Sequence, residues 1–167
     1  MASRAAPRRA DHPASPFGAG WWYAVPQTDP RAVALYQRHY SARNGNRTHG
    51  IAGAGETCVL LTQAADALWV WRTEAWLGNG EHEYIGQPDA LACGLFRNES
   101  PTLSSELVRE ADALADTRWP DRPRHYTWVD PGKIRSVNPG ACFKKAGWRS
   151  TGHVSANGLV MLARDRA

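Results

Sequence analysis

Two strand-like runs joined by a short polar turn constrain the fold of this sequence more than any other feature. The runs are Thr57–Thr62 (TCVLLT) and Ala67–Thr73 (ALWVWRT), both rich in β-branched and aromatic residues. Ala64-Ala65-Asp66, between them, is short enough for a β-hairpin. A third run follows at 91–98, and its central Gly94 indicates a β-bulge or a close backbone approach. We therefore expect an antiparallel sheet at the centre of the fold.

Helix signals stand on both sides of these strands. Asp29-Pro30 supplies an N-cap acid and a proline at the first helical position, and an apolar face ending at His39 follows with helical spacing. Ser100-Pro101 repeats the signal before a second helix. Residues 139–146 predict a short third helix, with Gly147 as its C-cap.

Further strands are expected at 20–25, 125–130, 148–152 and 159–163. The order is then strand, helix, three strands, helix, strand, helix and two strands. This order predicts an α/β or α+β fold with a mixed, mostly antiparallel sheet flanked by helices. Residues 1–17 are rich in Ala, Arg and Pro and predict a disordered tail, so 18–167 form the single expected domain.

Composition narrows the class of protein. The chain has 167 residues with 20 Lys+Arg against 16 Asp+Glu, a charge that permits nucleic-acid binding without requiring it. Three widely spaced cysteines, without CxxC or Cys/His finger spacing, support neither a disulfide framework nor a structural zinc site. No apolar run reaches the ~20 residues of a membrane span and no secretory h-region is present, so we expect a cytoplasmic protein without a membrane partner. Eight tryptophans indicate a thick aromatic core or a surface that stacks on bases.

The end of the first predicted helix carries a base, a phenol and a hydroxyl in succession: His39, Tyr40 and Ser41. A neutral imidazole can take a proton from an attacking amine or bind a metal, although an apolar-face histidine is also a common core residue. Asp130 ends a predicted strand, where sheet ligands tend to bind. It could orient His39, or it could merely cap the turn at Pro131-Gly132.

Two further candidates flank the second predicted helix. Arg97 could hold a carboxylate or phosphate in bidentate fashion, or pair with Glu99 or Glu106 as plain structure. Ser104 and Ser105 could bind an anion at the helix N-terminus, or simply cap the helix.

Five short motifs, in order over roughly 35–163, resemble the Mom-type phage DNA-modification proteins, a divergent branch of the GNAT N-acetyltransferase fold. They are HYS (39–41), FRNE (96–99), LSSELVREA (103–111), WVDP (128–131) and PGACFKKAGW (139–148). The resemblance implies transfer of a carbamoylmethyl group to adenine N6 of phage DNA in the bacterial cytoplasm, which protects the DNA from restriction. It implies a catalytic core of His39, Tyr40 and Asp130, and a donor or substrate site of Ser41, Arg97, Ser104 and Ser105.

On this interpretation the partner is DNA, with the possibility of a homodimer left open. An enzyme that acts on N6 in a duplex must flip the base or use single strands. Tyr40, Trp71 or Trp76 would stack on the flipped adenine. Four cations are placed on the phosphates: Arg43, Arg47, Lys144 and Lys145.

The donor and cofactor are less constrained. GNAT enzymes hold the CoA pyrophosphate on a glycine-bearing turn before a helix, through backbone N–H groups. The corresponding turn here, 98–104, has no glycine, and Pro101 lacks an N–H donor. Acyl-CoA and another small donor therefore both stay open. Iron is a further hypothesis, with His39 and Asp130 as ligands and His49 or His125 as a third.

Two alternatives compete with DNA modification. One is an ordinary acyl-CoA-dependent GNAT N-acetyltransferase that acts on a small amine or a protein. The other is a catalytically inactive GNAT-fold module that binds DNA. The motifs above favour DNA modification, whereas the general order of strands and helices fits all three.

Overall fold

A computed structural model describes residues 20–42, 50–52, 56–73 and 89–167. The described strands form one seven-stranded sheet in the order β1-β2-β3-β4-β5-β7-β6. The sequence of strands and helices is the one predicted, and the mixed, mostly antiparallel sheet with flanking helices is confirmed. The elements are β1 (Trp22–Val25), α1 (Pro30–Gln37), β2 (Thr57–Thr62), β3 (Ala67–Thr73), β4 (Ala90–Asn98), α2 (Ser104–Arg118), β5 (Arg124–Val129), α3 (Ala141–Lys145), β6 (Arg149–Val154) and β7 (Val160–Asp165).

Neighbouring strands pair antiparallel except β4 and β5, which are parallel. The predicted β2–β3 hairpin is present. The bulge is present too: Val70 pairs with Leu95 while Trp71 pairs with Cys93, which leaves Gly94 as the extra residue of β4. A bulge bends its strand and breaks the regular ladder, so β4 changes direction at Gly94.

The two faces of the sheet have separate cores. Helices α2 and α3 cover a face rich in aromatic side chains, including Trp69 and Trp148, while α1 buries Leu35 on the other face. The tryptophans thus serve mainly as core. Trp71 is only 1% exposed, and its ring packs 4.9 Å from that of His125. The expectation that Trp71 stacks on a base is therefore wrong, and Trp76 lies outside the described residues.

The predicted helix starts had different outcomes. The Asp29 carboxylate accepts the Arg31 N–H at 2.9 Å with Pro30 at the first position, as expected. The Ser100-Pro101 signal was wrong, because α2 begins at Ser104 and its N-cap Leu103 makes no side-chain cap bond. Residues 98–103 instead form a turn that the Asn98 side chain holds.

The expected third helix is shorter than predicted, and Gly147 follows its C-cap Ala146 with φ +100°, a left-handed conformation that favours glycine. The predicted tail and the cations Arg43 and Arg47 lie outside the described residues. None of the helices in the described ranges combines the length and hydrophobicity that a bilayer crossing needs.

Candidate active site

The parallel strands β4 and β5 separate part-way along their length. They pair only between Ala90–Ala92 and Arg124–Tyr126, although β4 continues to Asn98 and β5 to Val129. At the point of separation the Thr127 hydroxyl donates to the Cys93 carbonyl at 3.0 Å. Beyond it lies a cavity of about 630 Å³, within the ~300–1,000 Å³ typical of ligand sites. This split opens the cavity at the carboxyl ends of β4 and β5.

The cavity brings together two predicted segments that are far apart in sequence. His39, Tyr40 and Ser41 reach it from the turn after α1, and Asp130 reaches it from the end of β5. The lining also carries two cations that sequence reasoning missed, Arg72 and Lys133. Arg72 does leave a signal, because it is the one charge in the apolar run of β3.

The ring of His39 is held by hydrogen bonds with Ser41 and with the Phe96 backbone. Its Nδ1 accepts the Ser41 backbone N–H at 3.1 Å and lies 2.7 Å from Ser41 Oγ. A hydrogen bond with the Phe96 backbone favours the protonated ring and so raises its pKa. A bond of that kind has the ring donating to the carbonyl.

The electrostatic surroundings keep His39 neutral. Burial, and then the positive charge of Arg97, lower its pKa from 6.5 to about 4. The sequence pattern placed His39 on the first helix. This prediction is wrong, because α1 ends at Gln37. It sits half-buried in the following turn, where its N–H donates to the Tyr36 carbonyl at 2.9 Å. At neutral pH its imidazole is therefore a proton acceptor.

Tyr40 stands beside His39, with ring centroids 4.3 Å apart, and is 39% exposed. Burial of the phenol raises its pKa, and a hydrogen bond with the Asp130 backbone partly opposes this. The phenol is thus protonated at neutral pH and can donate to a ligand. The Asp130 carboxylate accepts the Gly132 N–H at 2.9 Å, which is the turn-capping role. In the described residues it is Ser41 and Phe96 that orient His39.

Arg97 contacts the residues next to His39 rather than the cavity itself. Its Nη1 donates to the Arg38 carbonyl at 2.6 Å, and its Nη2 lies 2.6 Å from Glu99 Oε1. Arg38 pairs with the same carboxylate at 2.8 Å. These contacts fasten the peptide that precedes His39 to the end of β4. Binding of the donor by Arg97 stays a prediction, since Arg97 is not among the side chains that line the cavity.

The polar groups of the turn before α2 are hydrogen-bonded mainly to the side chain of Asn98. Asn98 Nδ2 donates to the Thr102 carbonyl at 2.8 Å and to Ser104 Oγ at 2.9 Å. Asn98 Oδ1 accepts the N–H and the hydroxyl of Ser100 at 2.9 and 2.6 Å. Ser104 and Ser105 do not line the cavity, and their donor-binding role stays a prediction. Sequence reasoning missed Asn98, although an Asn two residues before a serine is a known turn signal.

The remaining predicted residues lie away from the catalytic turn. Lys144 and Lys145 are exposed on α3, and Lys144 Nζ donates to Asn138 Oδ1 at 2.8 Å. Within the described ranges no group of three or more His, Cys, Asp or Glu is placed to hold a metal ion. His125 is fully buried with its Nδ1 2.8 Å from Asp112 Oδ1, and His49 lies outside those ranges. The iron hypothesis therefore gains no support.

Comparison with known proteins shows the fold. No family model matches the chain, and no curated protein matches it in sequence. The aminoglycoside N-acetyltransferase AAC(6')-Ib11 aligns with 87% of this chain and 96% of its own, at 16% identity and a TM-score of 0.57. The aminoglycoside acetyltransferase AAC(6')-Ib in complex with coenzyme A aligns with 66% of this chain, at 19% identity and a TM-score of 0.48.

The alignment spans 65% of that coenzyme A complex, just under two thirds of its length. The likeness to AAC(6')-Ib11 covers nearly all of both chains and shows that this chain has the GNAT fold. The GNAT-like architecture implied by the sequence motifs is thus confirmed, while DNA modification of the Mom type stays a prediction.

Proposed function

We propose that this chain is an N-acyltransferase that moves an acyl group from a thioester donor such as acyl-CoA to an amine. The observation that carries the proposal is the separation of β4 from β5, which opens the cavity where His39, Tyr40 and Asp130 meet. The same fold in an aminoglycoside N-acetyltransferase supports transfer to nitrogen.

The geometry of the split suits an extended donor. Past Ala92 and Tyr126 the two strands no longer pair with each other, so the edge of β4 toward β5 carries no paired strand there. An amide-bearing thioester arm can bind there much as an added strand does. On this proposal Tyr40, which lines the cavity and is protonated at neutral pH, donates a proton to the leaving thiolate.

The direct test is to incubate the purified protein with acetyl-CoA and amines of several classes, following thiol release and acceptor mass. The classes are an alkylamine, an aminoglycoside, an adenine nucleoside and an oligonucleotide. We expect wild-type turnover that Tyr40→Phe reduces. Tyr23→Phe, a matched change on β1, should leave the rate unaltered. Absence of thiol release with every acceptor would refute acyl-CoA as the donor.

A second candidate is hypermodification of adenine N6 in DNA, and a specific observation favours it. An alkylamine reaches an enzyme as an ammonium ion and needs a base of near-neutral pKa, whereas burial and the Arg97 guanidinium lower the pKa of His39 to about 4. A weakly basic aromatic amine such as adenine N6 arrives neutral and releases an acidic proton once it has attacked. The chemistry of His39 therefore fits adenine better than an alkylamine.

The turn before α2 points the same way. Asn98 occupies its polar groups, and Pro101 supplies no N–H, so the turn departs from the usual pyrophosphate-binding turn of GNAT enzymes. On this candidate the donor is a small molecule other than CoA, and a flipped adenine enters the cavity beside Tyr40. The exposed cations Lys144 and Lys145 would contact phosphates.

Mass spectrometry of nucleosides separates the two candidates. DNA from bacteria that express the wild-type chain should contain a modified deoxyadenosine, and DNA from cells that express His39→Gln should contain little or none. Unmodified adenine together with acetyl-CoA consumption by an alkylamine would exclude the second candidate.

A further inference from the structure

The turn after α1 places a serine hydroxyl against an imidazole at the mouth of the cavity. We infer that Ser41 is the catalytic hydroxyl of this site: it takes the proton of the acceptor nitrogen and passes its own proton to His39. The inference rests on the proposed transfer to an amine. It specifies which atom contacts the reacting nitrogen, namely Ser41 Oγ and not the imidazole of His39.

The hydrogen bonds of His39 fix the direction of this contact. Nδ1 accepts the Ser41 backbone N–H at 3.1 Å, so it carries no proton in the neutral ring. Ser41 Oγ, 2.7 Å from the same nitrogen, must then be the donor. A hydroxyl that donates to an imidazole in this way can release its proton as it receives another.

The imidazole is also engaged away from Ser41. It makes a hydrogen bond with the Phe96 backbone, so rotation of the ring would disturb this bond and both contacts with Ser41. Ser41 is exposed while His39 is half-buried, and both line the cavity. A substrate nitrogen therefore reaches the serine hydroxyl first, and the imidazole acts through it.

The proton and electron balance closes with a thioester donor. The acceptor nitrogen forms a bond to the donor carbonyl carbon, its proton moves to Ser41 Oγ, and the serine proton moves to His39 Nδ1. When the C–S bond breaks and the carbonyl re-forms, Tyr40 protonates the leaving thiolate, and the proton on His39 returns through Ser41 to the Tyr40 phenolate. Nothing is oxidised or reduced. Burial and the Arg97 guanidinium disfavour the imidazolium, so the proton is readily given back.

Kinetics of Ser41 variants test the role in turnover. Ser41→Ala should lower kcat by roughly 100-fold with little change in KM, in the range expected for lost proton transfer. Ser41→Thr keeps a hydroxyl and should restore most of the rate. Ser150→Ala, on the exposed strand β6, is the matched control and should behave as wild type. A kcat for Ser41→Ala equal to that of wild type overturns the inference.

Side-chain ¹⁵N NMR tests the pair without turnover. We expect His39 as the Nε2–H tautomer in the wild type, with an Nδ1 resonance that shifts in Ser41→Ala and not in Ser150→Ala. A wild-type Nδ1–H tautomer, or an Nδ1 resonance indifferent to Ser41→Ala, overturns the inference. A wild type that transfers to no amine refutes the proposed function instead, and the NMR result still decides whether the pair exists.

Discussion

At the scale of single residues, the site depends on an imidazole that is kept neutral. Burial and the Arg97 guanidinium both oppose protonation of His39, and they outweigh the Phe96 hydrogen bond that favours it. A base with so low a pKa is not inactivated by mild acid. It also cannot deprotonate an alkylammonium ion efficiently. The balance of charges around His39 thus bears directly on which amines the site can use.

The contribution of Arg97 to this balance can be measured. In Arg97→Gln the positive charge is gone, so the imidazolium is less disfavoured and the pKa of His39 should rise from about 4 toward 6.5. An NMR titration of the His39 ring protons reports the change. Arg31→Gln removes an exposed cation paired with Asp29 and should leave the titration unaltered. Equal pKa values in wild type and Arg97→Gln would contradict this account.

The same low pKa predicts how stability depends on pH. In the folded chain the pKa of His39 is about 4, below the ordinary pKa of 6.5 that it has in the unfolded chain. Between these two pH values the unfolded state therefore binds more protons than the folded state. His39 therefore stabilises the fold fully above pH 6.5, and its contribution is lost as the pH falls through the window from 6.5 toward 4.

Urea unfolding at about pH 7.5 and about pH 5 measures this loss. His39→Gln should show a smaller drop in the free energy of unfolding between the two conditions than the wild type. His153→Gln, which changes an exposed histidine of β6, is the control and should match the wild type. An identical drop in all three proteins would mean that His39 titrates normally.

At the scale of elements, one glycine connects α3 to the cavity wall. Gly140 precedes α3 with φ +75°, and an added Cβ would overlap Leu162 Cδ1. Gly158 has a similar φ of +80°, but a Cβ there would meet nothing within 4 Å. Comparing substitutions at Gly140 and Gly158 therefore separates the cost of backbone strain from the cost of steric overlap.

Gly140→Ala should destabilise the fold more than Gly158→Ala. Both substitutions force alanine into a left-handed conformation, at roughly 1–2 kcal/mol each. Gly140→Ala adds the overlap with Leu162, about 1–3 kcal/mol more for an overpacked core. The free energy of unfolding from chemical denaturation checks the difference. Equal losses in the two variants would show that the wall yields without strain.

The elements also show where sequence reasoning succeeds. Asp29-Pro30 and Gly94 act through local chemistry, a cap and a bulge, and both were predicted correctly. The start of α2 was wrong because Asn98 satisfies the turn from several residues away, and a cap-then-proline signal does not register that competition. The separation of β4 from β5 depends on packing between distant segments, so no local pattern could reveal the cavity.

The site itself was partly predictable. His39 and Asp130 were expected in one site because of the resemblance of their motifs, and both line the cavity. What holds His39 was not predicted, since its partner Phe96 lies on a strand far along the chain. The sequence also suggested that Asp130 orients His39, but in the structure the Asp130 carboxylate accepts the Gly132 N–H and caps its own turn. Residue type identified the candidates, whereas tertiary contacts set their chemistry.

At the scale of the whole molecule, a buried polar network ties the helical layer to the sheet. Asp112 of α2 contacts His125 Nδ1 of β5 at 2.8 Å and accepts the Trp148 indole N–H at 2.8 Å. Trp148 in turn packs 5.0 Å from the ring of Phe143, which lines the cavity. The network therefore supports the cavity wall from the interior.

Removal of the central carboxylate should be costly. Asp112 is 3% exposed, and His125 and Trp148 are 0% and 2% exposed, so Asp112→Ala would leave two buried polar groups without their acceptor. Breaking a buried pair in this way costs about 3–5 kcal/mol. Asp112→Asn keeps an acceptor oxygen and should cost less. Asp121→Ala, at an exposed turn, should change the free energy of unfolding by less than about 0.5 kcal/mol. If Asp112→Ala unfolds in urea like Asp121→Ala, the network does not hold α2 to the sheet, and packing around Trp148 must support the cavity wall alone.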